Sequence, residues 1–327
     1  AQVAGIVGRP APVPGEAWSL GGWEFCRNGQ DTECGIKELD GFGSQLWRIE
    51  PEYAIRLDAG LGDCGVLIEP ASVLAKAWEQ TDRIFTRASW RPTVALVTGA
   101  GPIGLFAALL GVQRGLQVHV LDRAATGPKA QLVADLGATF HTGDVTDIGV
   151  TPDVVIECTG HGPLVFELTN VVAPDAVICL TGISSGTRTV TVGLDQVNKT
   201  IVLENTVLFG SVNAGRRHYQ QAADALARAD PGWLQRLIPR RGPLGGFGEP
   251  QPDCILFIAE DRGGLSRIDE AGYLTGAVEL IIEVARSSRK IDLGAKKKDY
   301  ERGGVPEYVV VEIDADQVHW FVLREGR

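Results

Sequence analysis

The pattern of apolar and polar positions divides the chain into stretches of different texture. Residues 1–88 show few clean periods and much Gly, Pro and Trp, which predicts short strands joined by loops. Within them Glu69 to Phe85 (EPASVLAKAWEQTDRIF) has helical spacing, with Val73, Ala77 and Ile84 on or near one face. From about Ser89 the pattern alternates. Short β-branched runs at Val94–Thr98, Gln117–Leu121, Asp153–Cys158 and Ala176–Thr181 read as buried parallel strands. Helical segments at Ile103–Arg114 and Lys129–Leu136 lie between them, and strand alternating with helix predicts a doubly wound α/β fold. A Pro/Gly cluster from Pro239 to Pro250 then punctuates the chain. Beyond it come four strand-like runs, Cys254–Ala259, Val278–Val284, Tyr308–Ile313 and Val318–Leu323, with one helical segment, Asp292–Arg302.

Composition narrows the class. The 327 residues suggest about two domains, and 44% hydrophobic with 22% charged residues is ordinary for a globular protein. A net charge of −10 argues against a general binder of nucleic acid or of anionic membranes. The longest uncharged run, Pro92 to Gln113, is interrupted by a glycine turn, so it reads as strand, turn and helix rather than a membrane span. Six scattered cysteines and an N-terminal stretch without signal-peptide character predict reduced thiols and a cytoplasmic location. The chain contains no methionine.

The glycine turn carries the chemistry. Gly99-Ala-Gly101-Pro102-Ile103-Gly104 follows the VALV strand and opens a helix. In a dinucleotide site the first glycine permits the tight turn and the second lets the backbone approach a pyrophosphate. The third lets helix and strand pack closely. The pyrophosphate meets the helix N-terminus, whose free N–H groups favour anions. Asp122 ends the next strand about 20 residues on, where the acid that binds the ribose belongs. The alternative is an ordinary glycine-rich turn in an α/β core. Asp122 favours NAD, whereas Arg123 beside it could hold the 2′-phosphate of NADP or stack on adenine, so the choice between the two cofactors stays open.

VTGAGPIGLFAALLGVQRGLQVHVLDR, with LIEPASVLAKAW upstream and GSVNAGRRHYQQA downstream, resembles the glucose dehydrogenases of the medium-chain zinc-dependent dehydrogenase superfamily. The resemblance runs over about residues 3–241 and includes CRNG and GIKELDGFGSQLWRIEPEYA. It implies a partial GroES-like catalytic region over 1–88, a Rossmann domain with a returning helix over 89–241, and a linker over 242–250. The implied activity is oxidation of a small sugar or alcohol, such as glucose to its lactone, with hydride passing to NAD or NADP. Carried over by position, Glu69 matches a zinc-site residue, and Glu33 and Asn213 match residues near the sugar, Asn213 also bordering the cofactor. Thr159, Thr181 and Ser184 match loops beside the nicotinamide. The earlier part of such a catalytic domain, with its other zinc ligands, is expected to lie before Ala1. Glu69 alone cannot hold catalytic zinc, which needs about three protein ligands. It also reads as a helix-start carboxylate stabilised by the dipole. Cys26 and Cys34 match the last two of four structural-zinc thiolates, too few to close a tetrahedral site. The five histidines show no ligand spacing. Phe25 and Gly43 stand where relatives often carry Met. Assembly with further copies of the chain stays open.

Residues 251–327 follow another pattern. Asp253 before a strand and Glu283 on a second strand resemble the PD-(D/E)xK nuclease core, in particular the restriction-endonuclease family called Uma-two, which implies a partial domain of that kind. Asp292, Lys296 and Tyr300 share one helix face at i, i+4 and i+8. The resemblance implies Mg²⁺ held by Asp253 and Glu283, with Lys296 stabilising developing charge. Against it stand the negative charge of the segment and its short span. The reading left beside these two is a catalytically silent dinucleotide-binding protein.

Overall fold

A computed structural model describes residues 2–9, 24, 31–42, 47–124, 127–184, 188–238, 254–258, 262–264, 266–268, 274–285 and 289–323. The loop-rich start forms short strands, as its texture predicts: β1 (Val3–Gly5), β2 (Gly8–Arg9), β3 (Thr32–Cys34), β4 (Glu38–Leu39) and β5 (Ala54–Arg56). β1 pairs antiparallel with β5, and β3 lies between β2 and β4. Helix α1 (Ile68–Phe85) follows, one residue longer than its pattern. It buries Leu74, Ala77, Trp78 and Phe85, and the Trp78 indole N–H donates to the Ala107 carbonyl at 3.1 Å.

The alternating stretch builds one parallel sheet. In chain order it supplies β6 (Val94–Thr98), α2 (Pro102–Gln113), β7 (Gln117–Leu121), α3 (Pro128–Asp135), β8 (Thr139–His141), β9 (Val154–Glu157), α4 (Gly162–Leu168), β10 (Val177–Leu180), α5 (Leu194–Leu203) and β11 (Val207–Gly210). The strand order is β8-β7-β6-β9-β10-β11, a double winding that reverses between β6 and β9. Its strands read as continuous apolar runs because helices cover both faces. Leu96, Val155 and Ile178 pack on one face, and Val97, Ile156 and Cys179 on the other. Two more helices, α6 (Arg216–Ala227) and α7 (Pro231–Arg236), complete this unit, and α6 packs against α1.

The chain divides into two compact units, residues 1–42 with 47–240 and residues 43–46 with 241–327. The second unit contains β12 (Cys254–Leu256), a hairpin of β13 (Ser266–Ile268) and β14 (Leu274–Gly276), β15 (Leu280–Ala285), β16 (Glu307–Glu312) and β17 (Gln317–Val322). Its sheet runs β12-β15-β16-β17, with β15 and β16 parallel and the outer pairings antiparallel. Ile281, Ala285, Tyr300, Tyr308 and Val310 form a separate core. The expected helix is a composite: α8 (Arg289–Ile291), one π turn over Asp292–Lys296, then α9 (Lys297–Arg302). The linker over 242–250 lies outside the described residues. Among the described residues no helix is long and apolar enough to cross a membrane.

Candidate dinucleotide cleft and neighbouring side-chain clusters

The glycine turn sits where the strand order reverses. Gly99 follows β6 with φ +91°, a left-handed conformation that favours glycine, and its N–H donates to the Leu121 carbonyl at 2.7 Å. Gly101 caps α2, and a Cβ there would meet only open space. Pro102 takes the first helical position, where a missing N–H costs nothing. A Cβ at Gly104 would fall 1.8 Å from the Gly99 carbonyl oxygen, so only glycine lets α2 pack this closely on the turn. The turn at Gly99 and the close packing at Gly104 thus both require glycine.

Asp122 leaves the end of β7 and faces the same turn. Its carboxylate accepts from the Ala100 N–H at 2.7 Å and the Ala124 N–H at 2.9 Å, and the Lys129 ammonium lies at 3.0 Å. Partial burial opposes its charge, but those two N–H donors and the lysine outweigh it and hold the carboxyl below the usual carboxylate range. Around these groups opens a cavity of about 790 Å³, lined by Gly99, Gly101, Asp122, Arg123, Thr159 and Ser184 among the sequence-predicted residues. Thr159 is fixed from below: its N–H donates to the buried Glu157 carboxylate at 2.7 Å and its hydroxyl reaches the same oxygen. The Ser184 hydroxyl donates to the Gly160 carbonyl at 2.7 Å. Thr181 stands behind the wall, its hydroxyl donating to the Glu157 carbonyl at 2.8 Å. Ile103 and Gly104 build the helix start without lining the cavity.

Lys129, His161 and Arg188 also line the cavity and carry no motif of their own. Arg188 Nη1 lies 3.0 Å from His161 Nδ1, a contact across 27 residues that only folding reveals. His119 and His141, far apart in sequence, meet on β7 and β8 with ring nitrogens 2.8 Å apart.

A second cluster gathers carboxylates. Glu33 on β3 and Glu69 in the first turn of α1 are near enough to interact, and burial, then the Glu33 charge, raises the Glu69 pKa. The buried Tyr219 hydroxyl accepts from the Val7 N–H at 3.3 Å, and burial pushes its pKa up to about 12. Among the described residues no three His, Cys, Asp or Glu side chains converge as a metal site, so the described residues do not by themselves fit zinc. Cys34 is a free thiol, and Cys26 lies outside the described residues. Asn213, with φ +57°, stands just past β11 and is held by the buried Lys76 rather than lining the cavity. Sequence reasoning missed Lys76, although a lysine inside the apolar run LAKAW is itself a signal.

In the second unit the composite helix brings four predicted groups together. Lys296 Nζ lies 3.0 Å from Glu283 and 3.2 Å from Asp292, and the Tyr300 hydroxyl donates to Glu283 at 2.6 Å. Burial works against the Lys296 charge, but Glu283 and Asp292 raise its pKa. Asp253 lies outside the described residues. Among the described residues these groups form an ion-pair network around Lys296, and no three His, Cys, Asp or Glu side chains converge there as metal ligands.

Comparison with known proteins follows the same division. The family model "Glucose dehydrogenase C-terminus" matches residues 62–250, and one described as "Putative restriction endonuclease" (Uma2) matches residues 219–327. The two overlap over α6 and α7, which the structure packs in the first unit. Glucose 1-dehydrogenase of Methanocella arvoryzae is 34% identical over 242 residues, covering 68% of this chain and 67% of that protein. Glucose 1-dehydrogenase 2 of Vulcanisaeta moutnovskia is 34% identical over 233 residues, covering 69% and 66%. The chain thus spans about two thirds of the length of these curated relatives. Among solved structures, Haloferax mediterranei glucose dehydrogenase in complex with NADP, Zn and gluconolactone superposes with a TM-score of 0.66 at 26% identity, covering 71% of this chain and 68% of that one. On the matched model, the curated relatives and the shared fold, the chain belongs to the glucose dehydrogenase family of medium-chain dehydrogenases.

Proposed function

We propose that the chain binds NAD or NADP in the cleft at the glycine turn and is an oxidoreductase of the glucose 1-dehydrogenase type, acting on a small sugar or alcohol. The observation that carries this is the cradle: open space over Gly101, a Gly104 that tolerates no Cβ, and a fixed carboxylate at Asp122. When bound, the nicotinamide supplies a hydride acceptor. The N–H groups at the start of α2 receive the pyrophosphate. Asp122 accepts from the ribose hydroxyls, and Arg123 and Lys129 supply positive charge beside them for a 2′-phosphate. Thr159, Thr181 and Ser184 shape the wall at the nicotinamide end, while Glu33, Glu69 and Asn213 face the sugar. Two relatives named glucose 1-dehydrogenase and a neighbour holding gluconolactone support that substrate class. The described residues do not bring together the three ligands that catalytic zinc needs. A cytoplasmic site of action is supported by free thiols at Cys34, Cys158, Cys179 and Cys254.

Titration with NADH and NADPH, read by their fluorescence, tests the reading: saturable binding is expected, and Gly104→Val should abolish it. A flat titration of the folded protein sinks both the dehydrogenase and the silent-binder readings. Saturable binding without absorbance at 340 nm from glucose and NAD⁺ or NADP⁺ selects the silent binder.

A metal-dependent nuclease-like role for residues 251–327 is the second reading, favoured by the convergence of Glu283, Lys296 and Tyr300 and by the Uma2 match. Its test is Mg²⁺-dependent nicking of plasmid DNA that Asp253→Ala removes.

A further inference from the structure

Lys76 is a charged residue on the inner side of α1, 3% exposed and surrounded by the chain's largest core. Its ammonium donates to the Glu24 carbonyl at 3.1 Å, the Val212 carbonyl at 2.7 Å and the Asn213 side-chain oxygen at 2.8 Å. An ammonium has three donors and no acceptor. These oxygens give the buried ammonium polar partners, which is how a buried lysine is tolerated. The same fact fixes the amide of Asn213. Only its oxygen can face Lys76, so its NH₂ points the other way. The backbone adds to this, because Asn213 holds a left-handed φ of +57° just past the C-terminal end of β11. Ligands of open parallel sheets bind outside that end of the strands.

We propose that Lys76 is a positioning residue that orients the Asn213 amide, so that Asn213 presents a hydrogen-bond donor to an acceptor oxygen at the reactive end of the ligand. This rests on the dinucleotide reading above and goes beyond it. The acceptor is the carboxamide oxygen of the nicotinamide or an oxygen of the sugar, and the two sources share one chemistry. An unanchored amide can turn over, exchanging donor for acceptor.

The titration of Lys76 is consistent with this arrangement. Burial, aided by Arg217, lowers its pKa to about 8 against the opposing pull of Glu24 and Cys179. His218 of α6 also lies within electrostatic reach. Above pH 8 the neutral amine has two hydrogens for three oxygens, and the amide of Asn213 loses its fixed sense.

Paired titrations of the full chain with NADH and ADP-ribose test the proposal, because ADP-ribose lacks the nicotinamide. A third titration with NADH repeats the measurement in saturating gluconolactone. Lys76→Met should weaken NADH about tenfold, the loss of one hydrogen bond from the Asn213 amide to the ligand, and leave ADP-ribose within about twofold. Lys76→Arg should restore the difference, and should keep it above pH 8 where the parent protein loses it. Asn213→Asp keeps a partner for Lys76 but removes the donor, and should reproduce the loss in a folded protein. A loss seen with NADH alone assigns the carboxamide; one that appears only with gluconolactone assigns the sugar oxygen. Equal weakening of NADH and ADP-ribose, or no change in any of the three titrations, overturns the role of Lys76 while leaving dinucleotide binding in place. Absence of any binding by the parent protein overturns the dinucleotide reading and this inference with it.

Discussion

His218 shows how a single side chain can tie stability to pH. It is fully buried at the start of α6, where its Nδ1 accepts the Gly215 N–H at 2.9 Å and its Nε2 lies 3.1 Å from Glu79. The ring is thus neutral, with its hydrogen on Nε2. Burial lowers its pKa, with Arg217 acting in the same direction and Glu79 against it. The unfolded chain therefore takes up the proton first, near the ordinary histidine value, and the folded chain only at lower pH. Stability is complete above about pH 6.5 and is lost as pH falls through the window below it. Urea unfolding at pH 7 and pH 5 should show that slope, and His218→Asn, whose amide oxygen can still accept the Gly215 N–H, should flatten it. His218→Ala should cost about 1–3 kcal/mol at neutral pH by leaving the Gly215 N–H and Glu79 without their partner. None of this was legible in the sequence, where His218 was one of five histidines without ligand spacing. Glu33 and Glu69 are different, because the family resemblance, not their spacing, brought them to one site.

At the scale of elements, legibility followed burial. Val94–Thr98 and Gln117–Leu121 appear in the structure with the bounds their patterns predict, because a strand buried on both faces must be apolar throughout. Strands of three residues, such as β13 and β14, are too short to show a period, and only pairing defines them. The helix expected over Asp292–Arg302 was legible as a helix but not as a π turn, whose wider coil is set by the groups it gathers. Among the described residues Lys296 is the cation that pairs with both buried carboxylates, Glu283 and Asp292, so these three groups together carry one carboxylate more than cations. Lys296→Met should therefore destabilise the second unit by about 3–5 kcal/mol, the cost of stranding buried charge. Asp292→Asn removes the surplus and should cost far less. Denaturant melts of the two variants check the ordering, and equal losses would mean the network is not held by charge balance.

The whole molecule contains two compact units with separate cores, one built on the six-stranded parallel sheet and one on the β12-β15-β16-β17 sheet. Composition alone suggested two domains by length; it could not show that the glucose dehydrogenase match ends where a different match is already under way. Separate cores imply separate unfolding transitions, since each unit buries its own apolar surface. The proposed ligand contacts only residues of the first unit. Binding stabilises what it binds, by about 2.7 kcal/mol when the ligand is at 100 times its Kd. For a unit of this size that corresponds to a rise of roughly 5–10 °C. Calorimetry with saturating NADH should move the transition that melts the first unit and leave the other in place. The Trp residues help assign them, with Trp78 and Trp233 buried in the first unit and Trp320 exposed on β17. A shift of both transitions together would show that the units unfold as one, and a shift of the second alone would place the ligand away from the glycine turn.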